Sequence, residues 1–219
     1  MKKCWSSISS ASRGEPLVDT AYIKHSLAAA LGIARFDPNA IDHFDTSYGG
    51  FFRSFFAMIV ASPCFVFMAL VDRRIELNVA ALGHRQPLPV DGFYFLETIY
   101  YIVDWMALPL LMIPVAKLIG VGGRYVPFVV AYNWCNCVVY AALLIPSVLD
   151  LSGLLPQRSG QVLFYTVIVF VLAYRWRIAR DGLRVPGLTA SAIVILDVLA
   201  SVFLSLVSLS LRGGVAPSL

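Results

Sequence analysis

The stretch LTASAIVILDVLASVFLSLVSLSL, Leu188 to Leu211, decides the fold. Its only ionisable side chain is Asp197. As a helix it is long enough to cross the hydrocarbon core of a bilayer, which takes about 20 apolar residues. It does not alternate polar with apolar, so it does not read as a barrel strand. In lipid every backbone N–H and C=O must find a partner, and a helix does this within one segment.

Working outward, four more apolar runs precede it, at about 55–71, 93–119, 125–149 and 161–178. Arg53 and the triplet Asp72-Arg73-Arg74 bound the first. Pro109 and Pro114 supply a kink in the second, since each removes a backbone donor. The arginines at the end of the fourth read as snorkelling to an interface. The expected fold class is therefore all-α: a polytopic transmembrane helical bundle of about five spans.

Composition agrees. The 219 residues are 59% apolar and 14% charged, against about 25% charged in an ordinary soluble domain. The net charge of +4 gathers in two clusters, Lys2 to Arg53 and Arg175, Arg177, Arg180 and Arg184. Both flank apolar runs, so lipid headgroups explain them better than nucleic acid does. Cytoplasmic loops of membrane proteins are rich in Lys and Arg. Placing the N-terminus in the cytoplasm puts about twelve such residues inside and about five outside. Arg73-Arg74 is the awkward pair in that arrangement.

The N-terminal third is different. Residues 1–16 are Ser-rich and read as disordered. Residues 17–50 read as helices that are interfacial or cytosolic, ahead of a membrane domain at 51–219. Val18, Tyr22, Ile23, Leu27, Leu31 and Ala34 give 17–36 a helical apolar face. Asp37-Pro38 starts a short helix to Phe44, and Asp45-Thr46-Ser47 offers another helix start.

No catalytic or cofactor motif is present. There is no GxSxG elbow, Walker loop or GxGxxG turn. His25, His43 and His84 are scattered outside the spans, and Cys135-Asn136-Cys137 lacks metal or redox spacing. Gly120 to Gly123 reads as a turn between the second and third spans, and Arg180-Asp181-Gly182 as the end of the fourth. No enzyme, metal or cofactor is expected.

The informative residues are polar side chains inside the spans. Tyr94, Glu97, Tyr101 and Asp104 recur at helical spacing, as do Asn133, Asn136, Cys137 and Tyr140, and again Asp197, Ser201, Ser205 and Ser208. Three stripes at similar depth suggest helices that face one another. The candidate site is Glu97, Tyr101, Asp104, Asn133, Asn136, Asp197 and Ser201. Charges at mid-membrane are costly and point inward, so Asp104 and Asp197 are expected to meet Asn133 or Asn136. Such a core serves as interhelical hydrogen bonding or as a relay or substrate site.

The N-terminal segment followed by five close-spaced spans resembles the Yip family of membrane proteins. The resemblance lies in that layout, in the Asp45 to Phe56 segment leading into the first span, and in Ala131-Tyr132-Asn133-Trp134. It implies a non-enzymatic membrane scaffold or organiser. In eukaryotes such proteins bind small GTPases and shape or traffic membranes. The chain is expected to reside in the cell membrane, of the bacterial inner-membrane kind. Its expected partners are the lipid bilayer and a second copy or another membrane protein, with no nucleic acid. The alternative is a small oligomeric transporter or channel using the Asp/Asn/Ser core.

Overall fold

A computed structural model describes residues 19–37, 39–83, 86–154 and 156–213. The stretch expected to be disordered, 1–16, lies outside the described residues. The elements are α1 (Thr20–Ala34), a 3-10 turn at Ala40–His43, α2 (Tyr48–Ser54), α3 (Ala57–Leu82), α4 (Val90–Leu118), α5 (Tyr125–Ser152), α6 (Gln157–Leu183) and α7 (Gly187–Gly213). No strand occurs among the described residues. Five segments are long and apolar enough to cross a membrane: Tyr48–Leu82, Val90–Leu118, Gly122–Ser152, Arg158–Leu183 and Gly187–Arg212. The chain is an all-α bundle of the multi-pass membrane type.

α5 is the central helix. Phe128 to Cys137 is buried throughout, because α3 and α6 flank it and α1 and α2 close over its first half. α4 pairs chiefly with α7 and touches α3 and α5 only sparsely. That loose contact leaves room between the α4–α7 pair and the rest.

α1 and α2 sit at one end of the bundle, here called the capped end. α1 turns Ser26, Ala29, Ala30 and Ile33 inward; the first three are small and allow close approach to α5 and α6. The Tyr174 hydroxyl of α6 donates to the Ala30 carbonyl at 2.7 Å. Trp134 of α5 meets Tyr22 edge-on, with ring centroids 5.5 Å apart. Ser47 caps α2 by accepting from the Gly50 N–H at 3.0 Å. Asp45 accepts from the Ser47 N–H at 3.0 Å and from Arg53 at 2.6 Å. A Cβ on Gly50 would stand 2.0 Å from the Asp45 carbonyl oxygen, so the fold requires glycine there.

One expectation about an element end is corrected. The first apolar run does not stop at Asp72-Arg73-Arg74, because α3 continues to Leu82. Charge ends a hydropathy window, but it does not break a helix. Arg73 pairs with Glu76 one turn on, donates to the Leu88 carbonyl at 2.9 Å, and lies over the Phe93 ring. These contacts occupy the awkward arginine within the structure. α6 ends one residue past Arg180-Asp181-Gly182, at Leu183, and closes with Arg184 in the left-handed region, φ 54°. Gly182 serves close packing instead, since a Cβ there would lie 3.3 Å from Phe128 Cα.

The prolines are accommodated locally. Pro63 inside α3 cannot donate to the Ile59 carbonyl, and the Ser62 hydroxyl does so at 2.8 Å. After α4, Gly120 takes φ 75° while the Val121 N–H reaches back to Ala116 O at 2.8 Å, which closes the helix end.

Candidate functional site: a charged intramembrane cavity

α6 and α7 form a tight hairpin. Trp176 donates from Nε1 to the Gly187 carbonyl at 3.1 Å, and a Cβ on Gly187 would come within 3.1 Å of the Trp176 ring. Arg175 precedes this turn by about as many residues as Asp197 follows it. In an antiparallel pair such residues sit at one depth, here about 15 Å in at a rise of ~1.5 Å per residue. Arg175 and Asp197 are ion-paired there, with side-chain exposures of 16% and 5%. The Tyr132 hydroxyl donates to Asp197 Oδ1 at 3.3 Å, and its ring lies 5.7 Å from the Arg175 guanidinium.

The α4 and α7 stripes face each other. Ser201 donates to Asp104 Oδ1 at 2.8 Å, and the Tyr100 and Ser205 hydroxyls share a hydrogen bond of 3.0 Å. One to two turns further from the capped end, Arg212 pairs with the buried Glu97, donates to Ser208 at 3.2 Å, and lies over the Phe93 ring. Asp72 of α3 faces the same region.

These groups line open space. A cavity of about 360 Å³ is walled by Asp72, Glu97, Tyr100, Ser205 and Arg212. A deeper lobe of about 190 Å³ shares Asp72, Glu97 and Tyr100 with it and reaches Asp104 and Arg175. Phe65 stacks on Tyr101 at 4.2 Å, and Tyr140 meets Tyr101 edge-on, giving the lobe an aromatic wall. Around and behind the cavity stand four carboxyl groups, Asp72, Glu97, Asp104 and Asp197, and two guanidinium groups, Arg175 and Arg212. In a low-dielectric site that imbalance calls for protons or a cationic occupant. No cluster of three or more His, Cys, Asp or Glu side chains fit to hold a metal ion occurs among the described residues.

The seven residues singled out from the sequence divide into two groups. Glu97, Asp104, Asp197 and Ser201 come together around the cavity. Tyr101 lines the lobe but donates its hydroxyl to the Met58 carbonyl at 2.7 Å. Asn133 belongs to a separate network toward the capped end: it accepts from Trp105 Nε1 at 3.1 Å and donates to Ser54 at 2.9 Å. Asn136 is buried in α5. The expected pairing of Asp104 and Asp197 with Asn133 or Asn136 is therefore corrected: their partners are Ser201, and Tyr132 with Arg175. For Asp197 the arginine adds a full opposite charge that an amide lacks, and the bond is stronger for it.

Arg175, Arg212 and Asp72 were missed. Arg175 reads as one of the interface arginines, although its mirror position to Asp197 across the hairpin is legible in the sequence. Arg212 continues the Asp197, Ser201, Ser205, Ser208 stripe by one more step of four. Asp72, in a run of three charges, reads as a span boundary. No protein-family model matches the chain, and no curated protein or solved structure matches it either.

Proposed function

We propose that this chain is a small membrane transporter, working as a homo-oligomer in the cell membrane with its capped end in the cytoplasm. In this reading the cavity between the α4–α7 pair and α3–α5 holds the transported solute. One observation carries the reading: the facing polar stripes of α4 and α7 line open space that runs from Arg212 at the end of α7 inward to Asp104 and Arg175, where purely structural hydrogen bonding would leave a dry contact. The unbalanced carboxyls supply groups that exchange protons with a solute, which is the usual use of ionisable side chains inside a membrane.

The test is flux in liposomes loaded with a pH-sensitive dye and carrying an imposed pH gradient. Wild-type protein should dissipate the gradient when a transported solute is added. Asp104→Asn should remain folded, because an amide keeps the Ser201 hydrogen bond, and should lose the flux. Wild-type vesicles that hold their gradient like protein-free ones across a broad solute panel would overturn the proposal.

The scaffold reading draws on a different observation. The α1–α2 module presents Phe36, Tyr48 and Phe52 as exposed aromatic side chains at the capped end, a surface suited to a partner. A scaffold would tolerate Asp104→Asn without loss of function, so the same variant separates the two. The orientation is tested by a reporter fused after Arg212, which should signal from the non-cytoplasmic side.

A further inference from the structure

We infer that the cavity takes an organic cation with an apolar body, its ammonium or phosphonium centre held between Asp72 and Asp104. The inference rests on the cavity being a solute site and adds the class of solute.

Charge comes first. Each guanidinium is paired with one carboxylate, Arg175 with Asp197 and Arg212 with Glu97, although Nε of each is buried without a hydrogen-bond partner, and the four carboxyls still outnumber the two guanidiniums. Asp104 is held only by the Ser201 hydroxyl, and Asp72 has no ion-pair partner among the described residues. The charges left to address an occupant are therefore negative, and an anion would be repelled.

The walls come second. Between these two carboxyls the lobe is faced by Phe65, Tyr100, Tyr101 and Tyr140. Phe65 and Tyr101 each spend one face on their mutual stack and Tyr140 spends one on Trp105; a remaining face attracts a diffuse organic cation through the ring quadrupole, by about 0.5–2 kcal/mol as desolvation increases. A small hard inorganic cation would instead want a shell of oxygen ligands at close range.

Shape comes third. At Met68 and Asp72 the lobe adjoins a groove of about 380 Å³ between α3, α5 and α6, walled by Val71, Ile75, Pro146, Phe164 and Tyr165. Its wall is mainly apolar, and Asp150 is a further carboxyl on it. Lobe and groove together have the size of a drug-like ligand's pocket, roughly 300–1,000 Å³. A proton or a bare metal ion has no use for such a groove, whereas an apolar substituent on an ammonium or phosphonium centre fills it.

The experiment is equilibrium binding of radiolabelled tetraphenylphosphonium to the purified full chain in nanodiscs. Tetraphenylborate, of the same shape and opposite charge, is the competitor that controls for greasy partitioning. Wild type should bind the cation saturably, benzyltrimethylammonium should compete, and tetraphenylborate should not. Asp104→Asn and, separately, Asp72→Asn should each weaken binding by roughly tenfold or more, about 1.4 kcal/mol. Circular dichroism and size exclusion confirm that each variant is folded, and either variant alone suffices. Equal competition by tetraphenylborate, or full-affinity binding by both folded variants, would overturn the inference. Binding without proton-coupled flux would uphold the cation site and remove the transport reading. Flux of other solutes without phosphonium binding would uphold transport and overturn the cation class.

Discussion

Replacing Asp197 by Asn strands a charge. Arg175 is 16% exposed and Asp197 5% exposed at the pair, and Arg175 Nε is buried without a hydrogen-bond partner. Little besides Asp197 compensates the guanidinium. The Tyr132 ring at 5.7 Å is near the outer limit of a cation–π contact, about 0.5–1 kcal/mol. Removing one partner of a buried ion pair costs about 3–5 kcal/mol, whereas replacing both with apolar residues of similar volume is neutral or stabilising. Asp104 lines the same lobe as Arg175 and takes over part of the role, so Asp197→Asn should cost about 3 kcal/mol, the lower end of that range. Arg175→Met should cost a similar amount. The double variant Arg175→Met/Asp197→Leu should return to within about 1 kcal/mol of wild type, so the cycle yields a large coupling energy. Asp104→Asn, losing one charge-assisted bond to a hydroxyl and keeping a neutral one, should cost about 1 kcal/mol. Unfolding in mixed micelles, followed by the fluorescence of the buried Trp105 and Trp134, reads all four. If Asp197→Asn unfolds within about 0.5 kcal/mol of wild type, Arg175 is hydrated and the pair does not organise the mid-membrane site.

The five spans were legible because hydropathy counts residues, and residues 188–211 contain a single charge. The α4 and α7 stripes were legible because the helical repeat fixes which side chains share a face, and an α-helix in lipid turns its polar face inward. Depth and partner were harder. Asp72 looked like a boundary because a run of three charges ends any hydropathy window, yet Glu76 lies one turn further on and pairs with Arg73. Asn133 and Asp104 lie on facing stripes at comparable depth, but the Trp105 indole and Ser54 take both ends of the Asn133 amide. Periodicity ranks faces within one helix, and it is silent on which neighbour supplies the partner. The hairpin argument for Arg175 shows what could have supplied it: a short antiparallel turn ties sequence distance to depth, and so pairs residues across two helices. α3 and α7, far apart in sequence, offer no such ruler, and Asp72's approach to the cavity required the structure.

Three further outcomes follow from the capped end and α3. Gly50→Ala would push a Cβ to 2.0 Å from the Asp45 carbonyl oxygen, so α2 must shift, and limited proteolysis should cut between α1 and α3 faster than in wild type; an unchanged digestion pattern would refute the tight turn. Ser62→Ala should destabilise by about 1 kcal/mol in the same micelle assay, because the Ile59 carbonyl loses its donor in front of Pro63; a silent variant would mean that another donor reaches it. The last concerns acid. Hydrogen bonding from Ser47, and beyond it the Arg53 guanidinium, hold the Asp45 carboxyl below its ordinary value of 3.8 against partial desolvation. A depressed carboxyl stabilises the fold above its unfolded value and loses that contribution as pH falls through the folded one. Asp45 and Arg53 are 33% and 40% exposed, so screening keeps the effect to about 1 kcal/mol or less. Amide exchange in α2, corrected for intrinsic rates, should therefore lose protection as pH falls from about 5 through and below 3.8. In Asp45→Asn the protection should be lower at pH 5 and flat across that range. A wild type whose α2 protection is constant or rises on acidification would show that the Asp45 hydrogen bonds do not hold the start of the membrane domain.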